Sequence, residues 1–241
     1  MSYGISVLNG NGNLAITDQT TNFHYMGSAN AYSTASGTDT GSNDQMLFAY
    51  YTITAPNQPI IFAEPSGSNA FRIQSVISSG TNTWRIMFSY TGSPPRIHAF
   101  STINYTTPAE TYGLAVYRSD NTLAFDSTRN PLGLYGGASL TLVKNSMTTV
   151  GSYSTLYYDS STTITGTPTR AAYFCATVGH SDGWRVSGTS YMFYNSYYYR
   201  SGDTIGLVWV KASQYIHSVP QYLNTDLNPH AIYVMDAARY D

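Results

Sequence analysis

Charge is what this chain has least of. Only 10% of its 241 residues are Asp, Glu, Lys or Arg, against roughly a quarter in an ordinary soluble domain. Basic and acidic side chains nearly balance, for a net charge of −2, and they are scattered singly. Nucleic-acid binding needs a clustered basic footprint that releases counterions, and attachment to an anionic membrane surface needs a polybasic segment. The sequence has neither, so no nucleic-acid partner is expected. Low charge also lowers solubility, which a chain built into a large assembly tolerates better than a freely diffusing enzyme.

The helix formers Glu and Lys are nearly absent. Glu occurs only at 64 and 110, and Lys only at 144 and 211. No ten-residue stretch shows a helical period, and no apolar run approaches the ~20 residues of a membrane span, so membrane insertion is not expected. Met1–Ile5 has no basic segment leading into an apolar stretch, so secretion is not expected, and the chain is expected to stay soluble in a cytoplasm or to join a particle there. A single cysteine, Cys175, excludes an internal disulfide. It sits in the apolar run Ala171-Ala172-Tyr173-Phe174-Cys175-Ala176, where a small core residue is the simplest reading.

Catalytic signatures are missing too. There is no GxSxG elbow, no glycine-rich phosphate loop and no HExxH. His180-Ser181-Asp182 places three suggestive residues together, but neighbours on an extended chain point to opposite faces. The flanking Gly179 and Gly183 suggest a turn. His24, His98, His180, His217 and His230 lack metal-ligand spacing. The acids Asp120, Asp126, Asp159, Asp182 and Asp203 fall where turn chemistry accounts for them. The expectation is a non-enzymatic protein with no catalytic residues, no cofactor and no metal.

What the chain does contain is a repeat. Residues 3–16 read Tyr-Gly-Ile-Ser-Val-Leu-Asn-Gly-Asn-Gly-Asn-Leu-Ala-Ile, and residues 112–125 read Tyr-Gly-Leu-Ala-Val-Tyr-Arg-Ser-Asp-Asn-Thr-Leu-Ala-Phe. Tyr3 matches Tyr112 and Gly4 matches Gly113, at a constant offset of 109. In each copy an alternating run predicts a strand with one buried face. An Asn/Gly or Ser-Asp-Asn turn follows, of residues that tolerate positive φ, and a second strand returns.

The likeness continues more weakly. Thr52–Ala63 resembles Thr163–Ala176, Phe71-Arg72-Ile73 resembles Trp184-Arg185-Val186, and His230–Met235 resembles the opening strand. The last likeness suggests that Tyr112–Tyr117 serves both halves. Gln45–Thr54, Thr83–Tyr90 and Thr204–Lys211 also read as strands. The reading is all-β: two tandem, internally repeated, antiparallel sandwich-like domains at 1–110 and 111–241. Gly27–Asp44, almost entirely small and polar, reads either as a mobile surface loop or as an arm that orders against a neighbouring subunit.

Aromatic density is greatest at Tyr191–Arg200. On a strand only alternate side chains can face the core. Tyr191, Tyr194, Tyr197, Tyr198, Tyr199 and Arg200 therefore form a candidate contact surface, because tyrosine pairs a stiff apolar face with a polar tip. Cross-strand aromatic pairing is the competing reading.

At the two Tyr-Gly-hydrophobic-x-Val hairpins the chain resembles small structural proteins of tailed bacteriophages. These often open with Met-Ser-Tyr-Gly, a Leu or Ile, any residue and Val, followed by an Asn/Gly turn. The match is strong over 3–27 and 112–136. The second copy departs in having Arg118-Ser119-Asp120-Asn121 where the first has glycines. The resemblance implies a virion protein of the tail tip, baseplate or tail fibre. It also implies a homo-oligomer, often trimeric, with other tail proteins as partners and a host surface receptor, pilus or polysaccharide, as a further one. On this reading the first half docks to the tail and the second half recognises the host. Capsid decoration, and a carbohydrate-binding protein or polysaccharide depolymerase, are the alternatives.

Overall fold

The computed structural model describes residues 7–8, 14–16, 22–38, 45–103, 105–140, 143–150, 153–164, 167–175, 181–187, 190–216 and 230–241. Its regular structure is nearly all β. The exceptions are two single 3-10 turns, Ser127–Arg129 and Ala237–Tyr240. The first repeat contributes β1 (Val7–Leu8), β2 (Leu14–Ile16), β3 (Phe23–Ala29), β4 (Ser33–Thr38), β5 (Gln45–Thr54), β6 (Ile60–Glu64), β7 (Phe71–Gly80), β8 (Thr83–Tyr90) and β9 (Arg96–Thr102). The second contributes β10 (Ala115–Tyr117), β11 (Leu123–Asp126), β12 (Leu134–Leu140), β13 (Val143–Val150), β14 (Tyr153–Thr163), β15 (Ala171–Cys175), β16 (Ser181–Ser187), β17 (Ser190–Ser201), β18 (Thr204–Ile216) and β19 (His230–Asp236).

The hairpins read from the repeat form as expected, and with the same register. Val7 pairs with Ile16 and Leu8 with Leu14; Val116 pairs with Phe125 and Tyr117 with Leu123. A register shift falls between the same two equivalent positions in both copies. Each hairpin is a two-stranded sheet of its own. The second one ties back to the first half, where Leu123 N–H donates to Tyr105 O at 2.8 Å and the Asn22 amide donates to Ala124 O at 3.0 Å.

The remaining strands form two larger antiparallel sheets. One runs β12-β19-β15-β6-β9-β3; the other runs β13-β14-β18-β17-β7-β8-β5-β4, with β16 paired to β17. Both orders read the same from either end once each strand is exchanged for its repeat equivalent. β3 corresponds to β12, β6 to β15, β9 to β19, β4 to β13, β5 to β14, β7 to β17 and β8 to β18. The halves are thus related by a pseudo-two-fold, and β16 is the one strand without a counterpart among the described residues.

The correspondence extends to single bonds. Thr54 pairs with Thr83, and Thr163 with Thr204. Ala55 N–H donates to Asn82 O at 2.8 Å, and Ile164 N–H donates to Asp203 O at 3.1 Å.

This topology changes several sequence-based expectations. The halves 1–110 and 111–241 do not build separate sheets, because each large sheet takes strands from both. The halves join at the centre of each sheet, through β6 and β15 (Ala63 opposite Tyr173) and through β7 and β17 (Phe71 opposite Tyr198). The counterpart of Phe71–Ile73 lies on β17 and not at Trp184–Val186, which belongs to the extra strand β16. Ser181 and Asp182 begin that strand instead of a turn. His230–Met235 takes the place of β9, not of an opening strand. Of the polar segment Gly27–Asp44, residues up to Ala29 belong to β3 and Ser33–Thr38 form β4, while 39–44 lie outside the described residues.

One core cluster draws on both sheets. Tyr51, Phe88, Phe71 and Tyr198 come from the nine-stranded sheet, and Ile61, Ile97, Tyr173 and Val234 from the six-stranded one. Alternation along each strand supplies these positions. The six-stranded sheet also returns on itself. Leu132 N–H donates to Phe23 O at 2.8 Å and Tyr25 N–H donates to Asn130 O at 3.0 Å, so the lead-in to β12 is bonded to β3. On the face away from the shared core, Phe62, Phe100, Ala172 and Met235 form a second cluster. The C-terminal 3-10 turn inserts Tyr240 there, with its ring centroid 4.9 Å from that of Phe100 and 5.1 Å from that of Tyr25. Its hydroxyl accepts from Gly133 N–H at 2.7 Å and donates to Pro131 O at 3.1 Å.

Candidate functional site

The tyrosine-rich strand β17 is an inner strand of its sheet, flanked by β16 and β18 along its first part. Tyr198 is buried, with its ring centroid 6.3 Å from that of Phe71. Tyr199 is half-buried over Gly206, its register partner, where an added Cβ would come within 2.6 Å of the ring. The Arg200 guanidinium donates to Gly202 O at 2.8 Å and to Pro168 O at 3.3 Å. These three residues therefore serve the fold, as cross-strand aromatic pairing predicts. The backbones of Tyr191, Tyr194 and Tyr197 pair with Tyr215, Lys211 and Val208, while their side chains lie outside the described residues. Tyr3, Gly4, His180 and His217 lie outside them as well.

Exposed aromatic and apolar side chains gather elsewhere, at the junction of the two repeats. Tyr112 is 92% exposed, and Tyr105, Leu114 and Tyr117 are each near 40%. The Tyr-Gly pair explains how this surface is presented. Gly113 has φ +146°, and a Cβ there would meet Thr128 Cγ2 at 2.6 Å and Ser127 Oγ at 2.9 Å. Only glycine lets the backbone press this closely. Ser127 Oγ then accepts from Leu114 N–H at 2.9 Å, and Ser127 N–H donates to Leu114 O at 3.0 Å. The chain lies flat on the 3-10 turn, and the preceding Tyr112 is left in solvent.

Asp126 organises this junction. It is buried, and its carboxylate accepts from Thr128 N–H at 2.9 Å, Thr128 Oγ1 at 2.6 Å and Ala109 N–H at 2.9 Å. Burial pushes its carboxyl up, but these hydrogen bonds and the nearby Arg129 outweigh burial and hold it below the usual range. Arg129 Nε lies 3.1 Å from Asp126 Oδ2, and its guanidinium carbon sits 4.1 Å from the Tyr105 ring centroid. Together they fix Tyr105 at the rim of an open cleft of about 420 Å³, lined also by Tyr25, Met26, Thr54, Ala109, Thr128 and Asn130. His24, next in sequence to Tyr25 and with its ring centroid 6.0 Å from that of Phe125, is fully buried, and neither ring nitrogen has a hydrogen-bond partner among the described residues. Burial lowers its pKa to about 4, against the raising effect of Asp126.

A second polar cluster lies on the outer face of the six-stranded sheet. Glu64 Oε2 is 2.9 Å from His98 Nε2, and Glu64 accepts from Arg170 at 2.7 and 2.9 Å. Arg170 also binds Asp241, and Arg96 reaches Asp241 at 2.9 Å and Ser28 Oγ at 2.7 Å. Both carboxylates are matched by guanidinium groups, as in a structural lock between β6, β9 and the C-terminal turn. Among the described residues no three of His, Cys, Asp and Glu form a metal-binding group. No helix among them is long and apolar enough to cross a membrane.

Comparison finds no matching family model, no similar curated protein and no similar solved structure. Function is therefore argued from the residues themselves. The sequence flagged Tyr112 and Gly113 through the repeat. It gave no signal for Tyr105 and Arg129, whose pairing depends on where the junction folds, nor for the Glu64–Arg170–Asp241 lock, whose members are far apart in the chain.

Proposed function

We propose that this chain is a non-enzymatic structural protein of a tailed-phage virion, placed at the tail tip, baseplate or fibre. It works by assembly and by attachment to a host receptor. The observation that carries the reading is the aromatic surface at the repeat junction. A hairpin of the type found in such phage proteins holds Tyr112 in solvent, Leu114 and Tyr117 of the same hairpin are also exposed, and Tyr105, stacked under Arg129, is exposed in the segment that leads into it. Large, stiff aromatic groups on a rigid base contribute contact area at low entropic cost, and they carry much of the energy of recognition surfaces. The described residues thus support a host-facing surface at residues 105–135, whereas Tyr198, Tyr199 and Arg200 serve the fold.

Antibody raised against the chain and applied to purified particles tests the placement. Label at the distal tail is the expected result. Label confined to the head would favour capsid decoration, and the absence of label from every particle would defeat both readings. Tyr112→Ser with Tyr117→Ser tests the surface, with loss of binding to intact host cells expected from a protein of unchanged circular dichroism.

A further inference from the structure

We propose that β4 is an assembly edge, at which two copies of this chain pair β4 against β4, antiparallel, to form one continuous sheet across a two-fold axis. The argument compares the sheet edges. The six-stranded sheet bonds the ends of its two edge strands to each other, Asn130–Leu132 against Phe23–Tyr25, and both β12 and β3 carry a register shift. The nine-stranded sheet ends in β4 at one side and in β13 at the other. These two strands are equivalent under the repeat, so a general need for an edge would treat them alike.

They differ in how they are guarded. An unpaired edge presents a row of free N–H and C=O groups that can template another strand, and proteins blunt such edges with lysine, proline or a bulge. β13 carries Lys144 and a register shift between Lys144 and Ser146. β4 has none of these devices. It pairs with β5 without a shift, from Ser33 opposite Tyr50 to Thr38 opposite Gln45, and no Asp, Glu, Lys, Arg or Pro occurs from Asn22 to Thr38. Ser33, Thr34, Ala35 and Ser36 are all exposed, and nothing among the described residues bonds the outer side of the strand. Tyr32, 60% exposed, extends this edge through its N–H bond to Tyr50 O at 3.0 Å.

The guard on β13 also selects the partner. Pairing β4 with β13 of the next copy would propagate without closing, whereas β4 with β4 is self-complementary and closes at two copies. Small Ser, Thr and Ala side chains let the two strands meet without steric conflict. The contact pairs copies and does not itself build the trimer that the phage resemblance implies. It stands on the strand edge alone and does not rest on the phage reading.

Sedimentation of the full chain, unaltered and as the Thr34→Lys, Ser36→Lys double variant, tests the proposal. Lysines on an edge strand block strand addition, so the unaltered protein should reversibly lose a two-fold contact on dilution and the variant should lack it at every concentration. An unaltered protein that stays monomeric at high micromolar concentration overturns the inference, as does a variant that associates just as strongly. Hydrogen exchange on the unaltered protein gives a second reading that needs no variant. Protection of residues 33–38 should rise with concentration, and protection that rises elsewhere but not there also overturns it.

Discussion

The rings of Phe62 and Phe174, equivalent residues of the two repeats, meet each other with their centroids 5.7 Å apart. They sit where β6 crosses from one repeat to β15 of the other, so the join between the halves is itself a packed contact. The two halves share this join and the core behind it, and several consequences follow from sharing.

Replacing Phe62, which is 1% exposed, by Ala removes a buried ring at the centre of the pseudo-two-fold. The expected cost is about 3–5 kcal/mol. Because the two main core clusters among the described residues draw on both halves, calorimetry should show one cooperative transition that moves to lower temperature as a whole. Two resolved transitions would mean that the halves fold independently.

His24 sets a pH dependence whose sign is fixed by its burial. Its folded pKa is lowered from 6.5 to about 4, so between these values the unfolded chain holds a proton that the native protein excludes. Stability is therefore complete above pH 6.5 and falls as the pH drops towards 4, by at most on the order of 3 kcal/mol. His24→Leu removes the titrating group and two ring nitrogens that have no partner among the described residues. Urea denaturation across this range should show a flatter profile for the variant, with equal or higher stability near neutral pH.

Asp126 and Glu64 act at lower pH. Burial raises both carboxyls, but hydrogen bonds from Thr128 and Ala109 to the first, and from Arg170 and His98 to the second, hold their folded pKa values below the ordinary 3.8 and 4.5. Each contributes stability that is present above its unfolded pKa and is lost as the pH falls through the depressed one. This second acid loss should survive in His24→Leu, which separates the two windows. Asp126→Asn should cost about 1–3 kcal/mol near neutral pH, since a buried array of donors loses its acceptor.

Gly113→Ala places a methyl group within 2.6 Å of Thr128 Cγ2 at a positive φ. A loss of more than about 1 kcal/mol is expected, together with movement of Tyr112. Tyr112→Ser, at a position in open solvent, should leave stability within about 0.5 kcal/mol. If both variants lose host-cell binding and only the glycine variant loses stability, the glycine works by presenting the tyrosine.

The sequence by itself determined the local geometry. Alternating residues around turn-forming Asn, Asp and Gly specified the β class and the two hairpins, which form with Val7 opposite Ile16 and Val116 opposite Phe125. Such signals act between neighbours, where a strand period and a turn are enough to fix the register. Only the tertiary structure decided that Tyr198 is core and Tyr112 is surface, that β17 and not Trp184–Val186 answers to β7, and that the six-stranded sheet returns through Asn130–Leu132. The physical reason is that alternation shows that one face of a strand is buried without naming what buries it. Ala63 and Tyr173, or Phe71 and Tyr198, find each other across more than a hundred residues through packing that no local pattern records.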